Sequence, residues 1–290
     1  MRYPLSILIC VLTFTTYGQS FQPYPERHRR LVQSIAFSPD TSTLYFTLMQ
    51  REYLEAIGEE VMGETPILAI YQAKAMDGQW SDPELMPFSG NHKDYEPTLS
   101  PDGKLLFFNS WRPVNGESVG DKNNVWFSVF ENGVWSKARY MPKVNTIKYE
   151  ESYPTITREG KLFMLAGREE EGEVKYGLFS TQFDYEETGP LQKEPIINDF
   201  LGSGDPWVSP DASYIIFTKF DMSIGWRETC DLYISFAQDG TWSSPQALSD
   251  LNSPGPDYAQ AISPNGEWIY YRKNSQFVRL AFLPILEKMR

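Results

Sequence analysis

Acidic, basic and aromatic residues recur at matching places along the 290-residue chain and could together bind a polar ligand or a peptide. The acidic residues open a series of short apolar runs, and the basic and indole side chains follow the next run in each case. Carboxylates and guanidiniums bind charged or hydrogen-bonding groups, while indole rings offer flat apolar surfaces. The candidate binding residues are Asp94, Glu96, Glu151, Asp205, Asp257, Arg112, Arg168, Trp111 and Trp226. The alternative is that these charges pair with one another or are simply solvated.

Three of the same carboxylates, Glu96, Asp205 and Glu151, could instead serve a glycoside hydrolase. Such enzymes need one protonated carboxyl and one second carboxylate, about 5–5.5 Å apart for retention or about 6.5–9.5 Å for inversion. A second catalytic pattern, G-x-S-x-G at residues 116–120, lies between WRPVN and DKNN. Neither flank resembles the buried strand and helix that this motif requires, so a serine hydrolase is disfavoured.

Metal and cofactor sites are not indicated. His28 and His92 have no Glu-x-x-His or cysteine partner spacing, which a zinc site would need. The chain also lacks a phosphate-binding glycine loop and an EF-hand loop. We therefore expect no metal ion and no cofactor.

The composition excludes other classes of function. With 26 Lys+Arg against 38 Asp+Glu, the net charge of −12 opposes binding to nucleic acid. Hydrophobic residues make up 41% of the chain, which is enough for a packed core. The 43 aromatic residues are interspersed with 41 glycines and prolines, and this mixture is typical of short strands joined by tight turns.

Residues 1–20 have the pattern of a secretory signal peptide. Arg2 precedes a ten-residue, mostly apolar stretch at 5–14, and small or polar residues follow at 15–20. A membrane-spanning helix needs about 20 apolar residues, so we expect a secreted or periplasmic protein rather than an integral membrane protein. Cys10 lies inside the apolar stretch, which disfavours a lipid anchor. Cleavage would leave residues 21–290 as a single domain whose one cysteine, Cys230, can form no intrachain disulfide.

A repeat along the chain determines the expected fold. Five segments share an apolar stretch, a Ser-Pro-Asp-Gly-like turn and a second apolar run, namely residues 34–46, 96–108, 153–165, 205–217 and 259–271. Their turns begin at Ser38, Ser100, Thr157, Ser209 and Ser263, with pitches of 62, 57, 52 and 54 residues. In the Ser-Pro-Asp-Gly pattern that these turns follow, Pro fixes φ, Asp or Asn bonds back to the backbone and Gly takes a left-handed conformation. Each segment is therefore a predicted hairpin.

A second hairpin follows the first in most repeats. Asp-Gly or Asn-Gly turns occur at 77–78, 132–133 and 239–240, and Trp80, Trp135 and Trp242 come two residues after the glycine. The copy at 178–187 lacks both the glycine and the tryptophan. Two hairpins in each repeat give four antiparallel strands, which form one blade of a propeller. The sequence thus predicts an all-β, five-bladed β-propeller.

The repeated S-P-D-G-K-x-L-x-F pattern resembles the TolB-like propeller repeat, a relative of the WD40-like repeats. Residues 100–108 (SPDGKLLFF) match it most closely, and residues 157–160 (TREG) depart from it most. The resemblance extends over nearly all of residues 21–290. It implies a binding propeller that holds an envelope protein or peptide at the mouth of its channel. Since propellers have many functions, it says less about activity than about fold.

The two ends of the chain are expected to close the ring. After residue 271 only one clear strand, at 276–283, precedes the end of the sequence, so the fifth blade lacks a strand. Residues 20–28 precede the first repeat and could occupy this outermost position. Closure of this kind leaves no long unpaired strand edge.

The two faces of the predicted propeller differ. The turns of both hairpin types lie on one face, which we call the turn face. The opposite loop face carries longer insertions at 50–66, 110–124, 166–175 and 219–230. In the first insertion, Tyr53, Leu54, Ile57 and Val61 have the spacing of one face of a short helix. Because function often lies in loops on a rigid scaffold, the loop face is the expected binding face.

These observations favour a secreted or periplasmic, non-catalytic module that binds an envelope protein or peptide, or an oligosaccharide. The alternative is a glycoside hydrolase of the five-bladed propeller type that uses carboxylates at the channel mouth.

Overall fold

The computed structural model describes residues 30–186, 188–195, 202–221, 224 and 229–290. Their strands form five antiparallel sheets, which confirms the predicted all-β, five-bladed propeller.

Blade 1 contains β1 (Val32–Phe37), β2 (Thr43–Met49), β3 (Leu68–Met76), β4 (Gln79–Trp80) and β5 (Glu84–Leu85). Blade 2 contains β6 (Asp94–Leu99), β7 (Leu105–Ser110), β8 (Asn124–Glu131), β9 (Val134–Trp135) and β10 (Arg139–Tyr140). Blade 3 contains β11 (Glu151–Ile156), β12 (Lys161–Glu170), β13 (Glu173–Gln182) and β14 (Gln192–Lys193). Blade 4 contains β15 (Ser203–Val208), β16 (Tyr214–Lys219), β17 (Asp231–Gln238), β18 (Thr241–Trp242) and β19 (Gln246–Ala247). Blade 5 contains β20 (Asp257–Ile262), β21 (Trp268–Lys273) and β22 (Gln276–Ala281).

Within each blade the strands follow one another outward in chain order. The first strand is innermost, and β1, β6, β11, β15 and β20 contact their neighbours around the axis to form a closed ring. In blades 1, 2 and 4 the outermost position is divided between two short strands that both pair with the third strand. Blade 5 has three strands among the described residues. The predicted closing strand at 20–28 lies outside the described residues.

In all five turns the Ser or Thr hydroxyl accepts the N–H at the start of the second strand, and its carbonyl accepts the N–H of the fourth turn residue. In blades 1, 2, 4 and 5 the hydroxyl also donates to an Asp or Asn side chain. In blade 2, the Ser100 hydroxyl donates to Asp102 Oδ1 at 2.6 Å and accepts the Leu105 N–H at 2.9 Å. Gly103 N–H donates to the Ser100 carbonyl at 2.8 Å, and Gly103 has a φ of 75°. A Cβ at Gly103 would lie 3.1 Å from Pro39 Cδ of the preceding blade, so glycine also permits close contact there.

Five hydrophobic clusters form the core, and each lies between two neighbouring blades. Phe46 and Tyr71 of blade 1 pack with Tyr270 of blade 5, so the last blade is joined to the first by buried apolar contacts. The other clusters join blades 1 and 2, 2 and 3, 3 and 4, and 4 and 5. Stability therefore comes from packing between blades, since the sheet hydrogen bonds lie within them.

The tryptophan of the second hairpin packs against the preceding blade. Trp135 meets Tyr45 of blade 1 edge to face, with ring centroids 5.7 Å apart. Trp242 meets Phe163 of blade 3 at 5.9 Å. In blade 3, where the motif lacks this tryptophan, Phe183 packs on Phe107 of blade 2 at 5.1 Å. The same inter-blade contact is thus made by a different ring.

The loop-face insertions differ in part from the prediction. A helix, α1 (Gln50–Ile57), is present, and its buried Tyr53 packs on Tyr71 at 5.3 Å. It ends at Gly58, whose φ is 81°, so Val61 lies beyond it and does not share its face. The insertion at 166–175 is not an irregular loop, because β12 and β13 stay paired up to Glu170 and Glu173.

A second helix, α2 (Leu283–Met289), follows blade 5 and contributes the buried Leu286 to the cluster between blades 4 and 5. In the part of the chain that the structure describes, no helix is long and apolar enough to cross a membrane.

Candidate functional site

The residue four positions before each turn lines the central channel. These five channel residues are Ser34, Glu96, Tyr153, Asp205 and Ala259. In blades 2 to 5 the inner strand has a β-bulge at this place, and the channel residue has a positive φ of 50° to 56°. A left-handed conformation costs about 1–2 kcal/mol for a residue with a Cβ. Such strain often occurs at functional sites, where the surrounding structure maintains it.

Side chains of the preceding blade hold this strained backbone in place. Thr47 Oγ1 accepts the Glu96 N–H at 3.0 Å, and Asn109 Oδ1 accepts the Tyr153 N–H at 2.8 Å. Asp205 Oδ2 likewise accepts the Ala259 N–H. The preceding blade therefore fixes the backbone of three channel residues, Glu96, Tyr153 and Ala259.

Two cavities open from the channel and share Glu96, Tyr153 and Asp205. We call the place where these three residues meet the waist. Glu96 and Asp205 belong to blades 2 and 4, and each remains half-buried in the channel. The waist thus brings together two carboxyl groups that are 109 positions apart in the sequence.

Burial and mutual repulsion favour the protonated forms of these two carboxyls. Burial, and then the charge of Asp205, raise the pKa of Glu96 well above its usual range, although the Ser34 hydroxyl and Arg272 oppose the shift. Burial raises the pKa of Asp205 to about 7, against the opposing hydrogen bond from Ala259 N–H. The waist can therefore hold a proton near neutral pH and offer it as an acid or as a hydrogen-bond donor.

The cavity on the turn face has a volume of about 360 Å³. The prolines of four turns, Pro39, Pro101, Pro210 and Pro264, line it together with Arg158, which takes the proline's place in blade 3. Gln260 lies in its wall next to Asp205. Its Nε2 donates to the carbonyls of Asp205 and Ile216, whereas its Oε1 is buried without a partner.

The cavity on the loop face has a volume of about 300 Å³ and is rich in aromatic side chains. Tyr176, Phe220 and Tyr258 line it above Tyr153 of the waist. Glu150 also lines it and accepts a hydrogen bond from Asn123 Nδ2. Burial raises the pKa of Glu150 as well.

A cation held between two aromatic rings lies next to this cavity. Lys93 Nζ is 3.6 Å from the centroid of Trp111 and 5.0 Å from that of Tyr95. The Trp111 indole N–H donates to Asn123 Oδ1 at 2.8 Å. Trp111 is therefore already engaged by its own blade rather than free to stack on a ligand.

Four of the predicted binding residues form two internal ion pairs. Arg112 Nη2 lies 2.8 Å from Asp94 Oδ2, and Arg168 Nη1 lies 2.6 Å from Glu151 Oε1. Both carboxylates are fully buried. Burial raises the pKa of Asp94 to about 6 and that of Glu151 in the same direction, while the guanidinium partners oppose both shifts.

These carboxylates also fasten the loop that enters their own blade. Asp94 Oδ2 accepts the Ser89 hydroxyl at 2.9 Å, and Glu151 Oε2 accepts the Thr146 N–H at 2.8 Å. Asp257 does the same with the Ser253 hydroxyl at 3.0 Å. A repeated structural role thus accounts for three of the predicted residues.

Of the predicted residues, the structure brings only Glu96 and Asp205 together in the channel, and Trp226 lies outside the described residues. Sequence reasoning missed Tyr153, Tyr176, Tyr258 and Gln260. The signal that could have found Tyr153 is its place four residues before the turn, which is the place of Glu96 and Asp205 in their own repeats. Tyr176, Tyr258 and Gln260 lie on neighbouring strands, and none of them occupies the position four residues before a turn.

Within the described residues, no group of three or more His, Cys, Asp or Glu side chains is arranged to hold a metal ion. His92 is half-buried, and burial lowers its pKa.

Comparison with known proteins shows likeness of fold. No family model matches the chain, and no curated protein matches its sequence. The endo-arabinase from Bacteroides thetaiotaomicron VPI-5482 is similar in structure with a TM-score of 0.55 and 14% identity, over 89% of this chain and 95% of that chain. TolB from Acinetobacter baumannii gives a TM-score of 0.49 and 14% identity over 86% of this chain. A GH43 endo-arabinanase from Bacillus licheniformis gives 0.49 and 12% identity, over 89% of this chain and 95% of that chain.

The chain spans about half the length of TolB, covering 53% of it. Since all these identities are low, the comparisons establish the propeller fold alone.

Proposed function

We propose that this protein is a secreted or periplasmic binding module that takes a segment of an envelope protein or peptide into the loop-face cavity. The observation that carries the proposal is the set of half-buried aromatic rings, Tyr176, Phe220 and Tyr258, around a cavity of about 300 Å³ that reaches the waist. Aromatic rings combined with a few polar groups are typical of ligand sites, because they supply apolar area and orientation together. The proposed signal peptide at 1–20 supports the location.

The internal ion pairs change which residues should contact the partner. Asp94, Glu151, Arg112 and Arg168 neutralise one another, so we assign them to positioning the loops around the cavity. Contact is assigned to the aromatic rings, to Glu150 and to the carboxyls of the waist.

The binding function is tested by capturing partners from an envelope extract of the source cell. Tyr176→Ala combined with Tyr258→Ala should reduce the captured partner at least tenfold, since buried aromatic contacts at an interface are often worth about 2 kcal/mol or more. Tyr185→Ala serves as the matched control, because this tyrosine is 51% exposed and does not line the cavity. Equal capture by the cavity variant and the control, with both folded, would place the binding surface elsewhere.

Arg112 and Arg168 are unsuitable for this test. Removing either guanidinium leaves a buried carboxylate unpaired, which typically costs about 3–5 kcal/mol of folding free energy. Loss of binding in such a variant would report on the fold rather than on contact.

A second candidate function is glycoside hydrolysis, and the carboxyl pair of the waist favours it. Glu96 and Asp205 both have a raised pKa in a channel that is open to ligand, and a glycosidase needs one such acid beside a second carboxylate. The structural similarity to the endo-arabinase supports this candidate at the level of the fold only.

Incubation with arabinan and with other oligosaccharides tests the second candidate, with reducing ends as the readout. Activity that is abolished by Glu96→Gln and by Asp205→Asn would replace the binding function with hydrolysis. Activity that survives both substitutions would not use the waist carboxyls and would reject this candidate, as would no activity in the wild type.

A further inference from the structure

The turn-face cavity contains, next to the waist, one buried hydrogen-bond acceptor that the protein itself leaves without a donor. Gln260 is only 8% exposed, and its Nε2 donates to two carbonyl oxygens, those of Asp205 and Ile216. Because a carbonyl can only accept, this pattern fixes which end of the amide is nitrogen. The buried Oε1 is therefore the atom that lacks a partner. A buried acceptor without a donor is unfavourable, so a donor group from a ligand would stabilise it.

The two carboxyls of the waist would also be stabilised by a ligand that donates hydrogen bonds and carries a positive charge. The pKa of Asp205 is raised by burial, and among the described residues only the Ala259 N–H opposes the shift, with no cationic side chain contributing. Arg272 partly offsets the charge at Glu96, but its guanidinium donates to the carbonyls of Val32 at 3.1 Å and Ser275 at 2.7 Å. A cation from outside would compensate both carboxylates at once.

The turn-face cavity leads to these acceptors past apolar walls. Leu99 and Trp207 line it below the four turn prolines, and its volume of about 360 Å³ is ample for a short aliphatic chain. An aliphatic chain that ends in a charge fits such a funnel, because methylene groups pack on the apolar wall while the charge reaches the polar floor.

We propose that the waist binds a primary ammonium group at the end of an aliphatic chain, which enters through the turn-face cavity and is bound by Glu96, Asp205 and Gln260. An ammonium group has three donors and no acceptor, matching three acceptors that come from blades 2, 4 and 5. A planar guanidinium instead suits the two oxygens of a single carboxylate. This site shares the two waist carboxyls with the proposed function, whose partner enters from the opposite face, and its tests use a small amine and peptides rather than the envelope partner.

Calorimetric titration of the purified protein at pH 8 with n-butylamine tests the proposal. Butylamine should bind with an affinity at least tenfold higher than n-butanol, which has the same carbon chain without the charge. Binding should weaken at pH 5.5, because the pKa of Asp205 is about 7 and its carboxyl is then protonated. Equal binding of the two compounds, or no binding of butylamine, would overturn the proposal.

Peptides distinguish a free amine from a lysine side chain as the source of the ammonium group. Acetyl-Gly-Gly-Lys-Gly-Gly-amide is compared with the same peptide carrying Met in place of Lys. Binding of the Lys peptide as well as butylamine assigns the site to a protein or peptide ligand, whereas binding of butylamine without binding of the Lys peptide assigns it to a small amine. Both results support an ammonium site.

Matched variants test which residues form the site. Glu96→Gln with Asp205→Asn should reduce butylamine binding at least tenfold. Glu131→Gln with Asp239→Asn removes the same charge from exposed positions in the second-hairpin turns and should leave binding unchanged. Equal loss in both double variants would mean that only the net charge attracts the amine, and the proposal would fall.

A lysine introduced at Ala259 gives a test that does not depend on a ligand. Ala259 is the channel residue of blade 5, so Ala259→Lys would carry an ammonium group toward the carboxyls, and Ala259→Met provides a chain of similar size without charge. At pH 8 the lysine variant should melt at a higher temperature than the methionine variant and should no longer bind butylamine. A lower melting temperature for the lysine variant would contradict the proposal.

Discussion

The carboxyl of Asp205 combines two roles that most channel residues do not share. Its Oδ2 holds the strained backbone of Ala259, and its charge repels that of Glu96. Because the folded protein retains a proton at this carboxyl that the unfolded chain releases, the residue links stability to pH.

The sign of that link gives a prediction. The pKa of Asp205 rises from 3.8 in its usual state to about 7 in the fold, so its contribution is fully present below about pH 4 and is lost as the pH rises through 7. Between pH 5 and pH 8 the wild type should lose on the order of 1–2 kcal/mol more stability than Asp205→Asn. Urea unfolding at both pH values measures the difference. Parallel pH dependence of the two proteins would mean that this carboxyl ionises normally in the fold.

Residue types alone predicted the carboxyls of the channel but not their separate roles. Asp94 and Glu96 are two positions apart, and in a regular strand their side chains would point to the same side. The β-bulge between Tyr95 and Thr98 breaks this alternation, so that Asp94 pairs with Arg112 while Glu96 faces the channel. A bulge leaves no clear mark in one sequence, and for this reason residue types alone do not separate the buried ion pairs from a binding site.

At the scale of the element, the turn is the best-conserved part of the repeat within this chain. All five turns keep a Ser or Thr hydroxyl that accepts the N–H at the start of the second strand. Such local hydrogen bonds follow from residue type and spacing, which explains why the hairpins and the blade number were predictable. The paired insertion at 166–175 was not, because its polar sequence does not show that β12 and β13 continue through it.

Two of the turns carry a residue that does not suit its conformation. Thr41 and Ala212 have φ values of 58° and 56° at the position that Gly103, Gly160 and Gly266 occupy in the other turns. Replacing Ala212 by Gly should stabilise the protein by about 0.5–1 kcal/mol, since the gain at positive φ exceeds the added flexibility of the unfolded chain.

The control is a Gly-to-Ala substitution at the same turn position in another blade. Gly160→Ala should destabilise the protein by about 1–2 kcal/mol, because the residue has a φ of 81° and the new Cβ would lie 2.9 Å from Gln182 Nε2. Denaturant unfolding of both variants measures the effects. Stabilisation by Gly160→Ala, or destabilisation by Ala212→Gly, would show that backbone strain does not decide the stability of these turns.

At the scale of the whole molecule, the ring is held by side-chain packing between blades. The described residues contain one cysteine, Cys230, which is free and only 3% exposed. Burial raises the pKa of its thiol, so the reactive thiolate is scarce in the folded state. Cys230 also lines the loop-face cavity, and its carbonyl accepts the N–H of Asp257 at the start of blade 5.

The thiol therefore reports on opening of the ring. In a chain that starts after residue 20, a thiol reagent should label Cys230 at least a hundredfold more slowly in the native protein than in urea, and gel mobility should not change with reductant. The labelling rate should follow the free energy of unfolding across the variants described above. Rapid labelling of the native protein would reveal local opening near the cavity, and a reducible dimer would reveal an intermolecular disulfide.

The five channel residues also bear on how such a protein could diversify. The repeat has kept its turn hydroxyl in every copy, yet the position facing the axis carries a hydroxyl in Ser34, carboxyls in Glu96 and Asp205, a phenol in Tyr153 and a methyl in Ala259. The preceding blade holds the backbone of Glu96, Tyr153 and Ala259, so the side chains at these three positions can change during evolution at little cost to folding. Chains that share this scaffold can therefore differ in their ligands, and the five residues at this position should be a better guide to ligand chemistry than overall sequence identity.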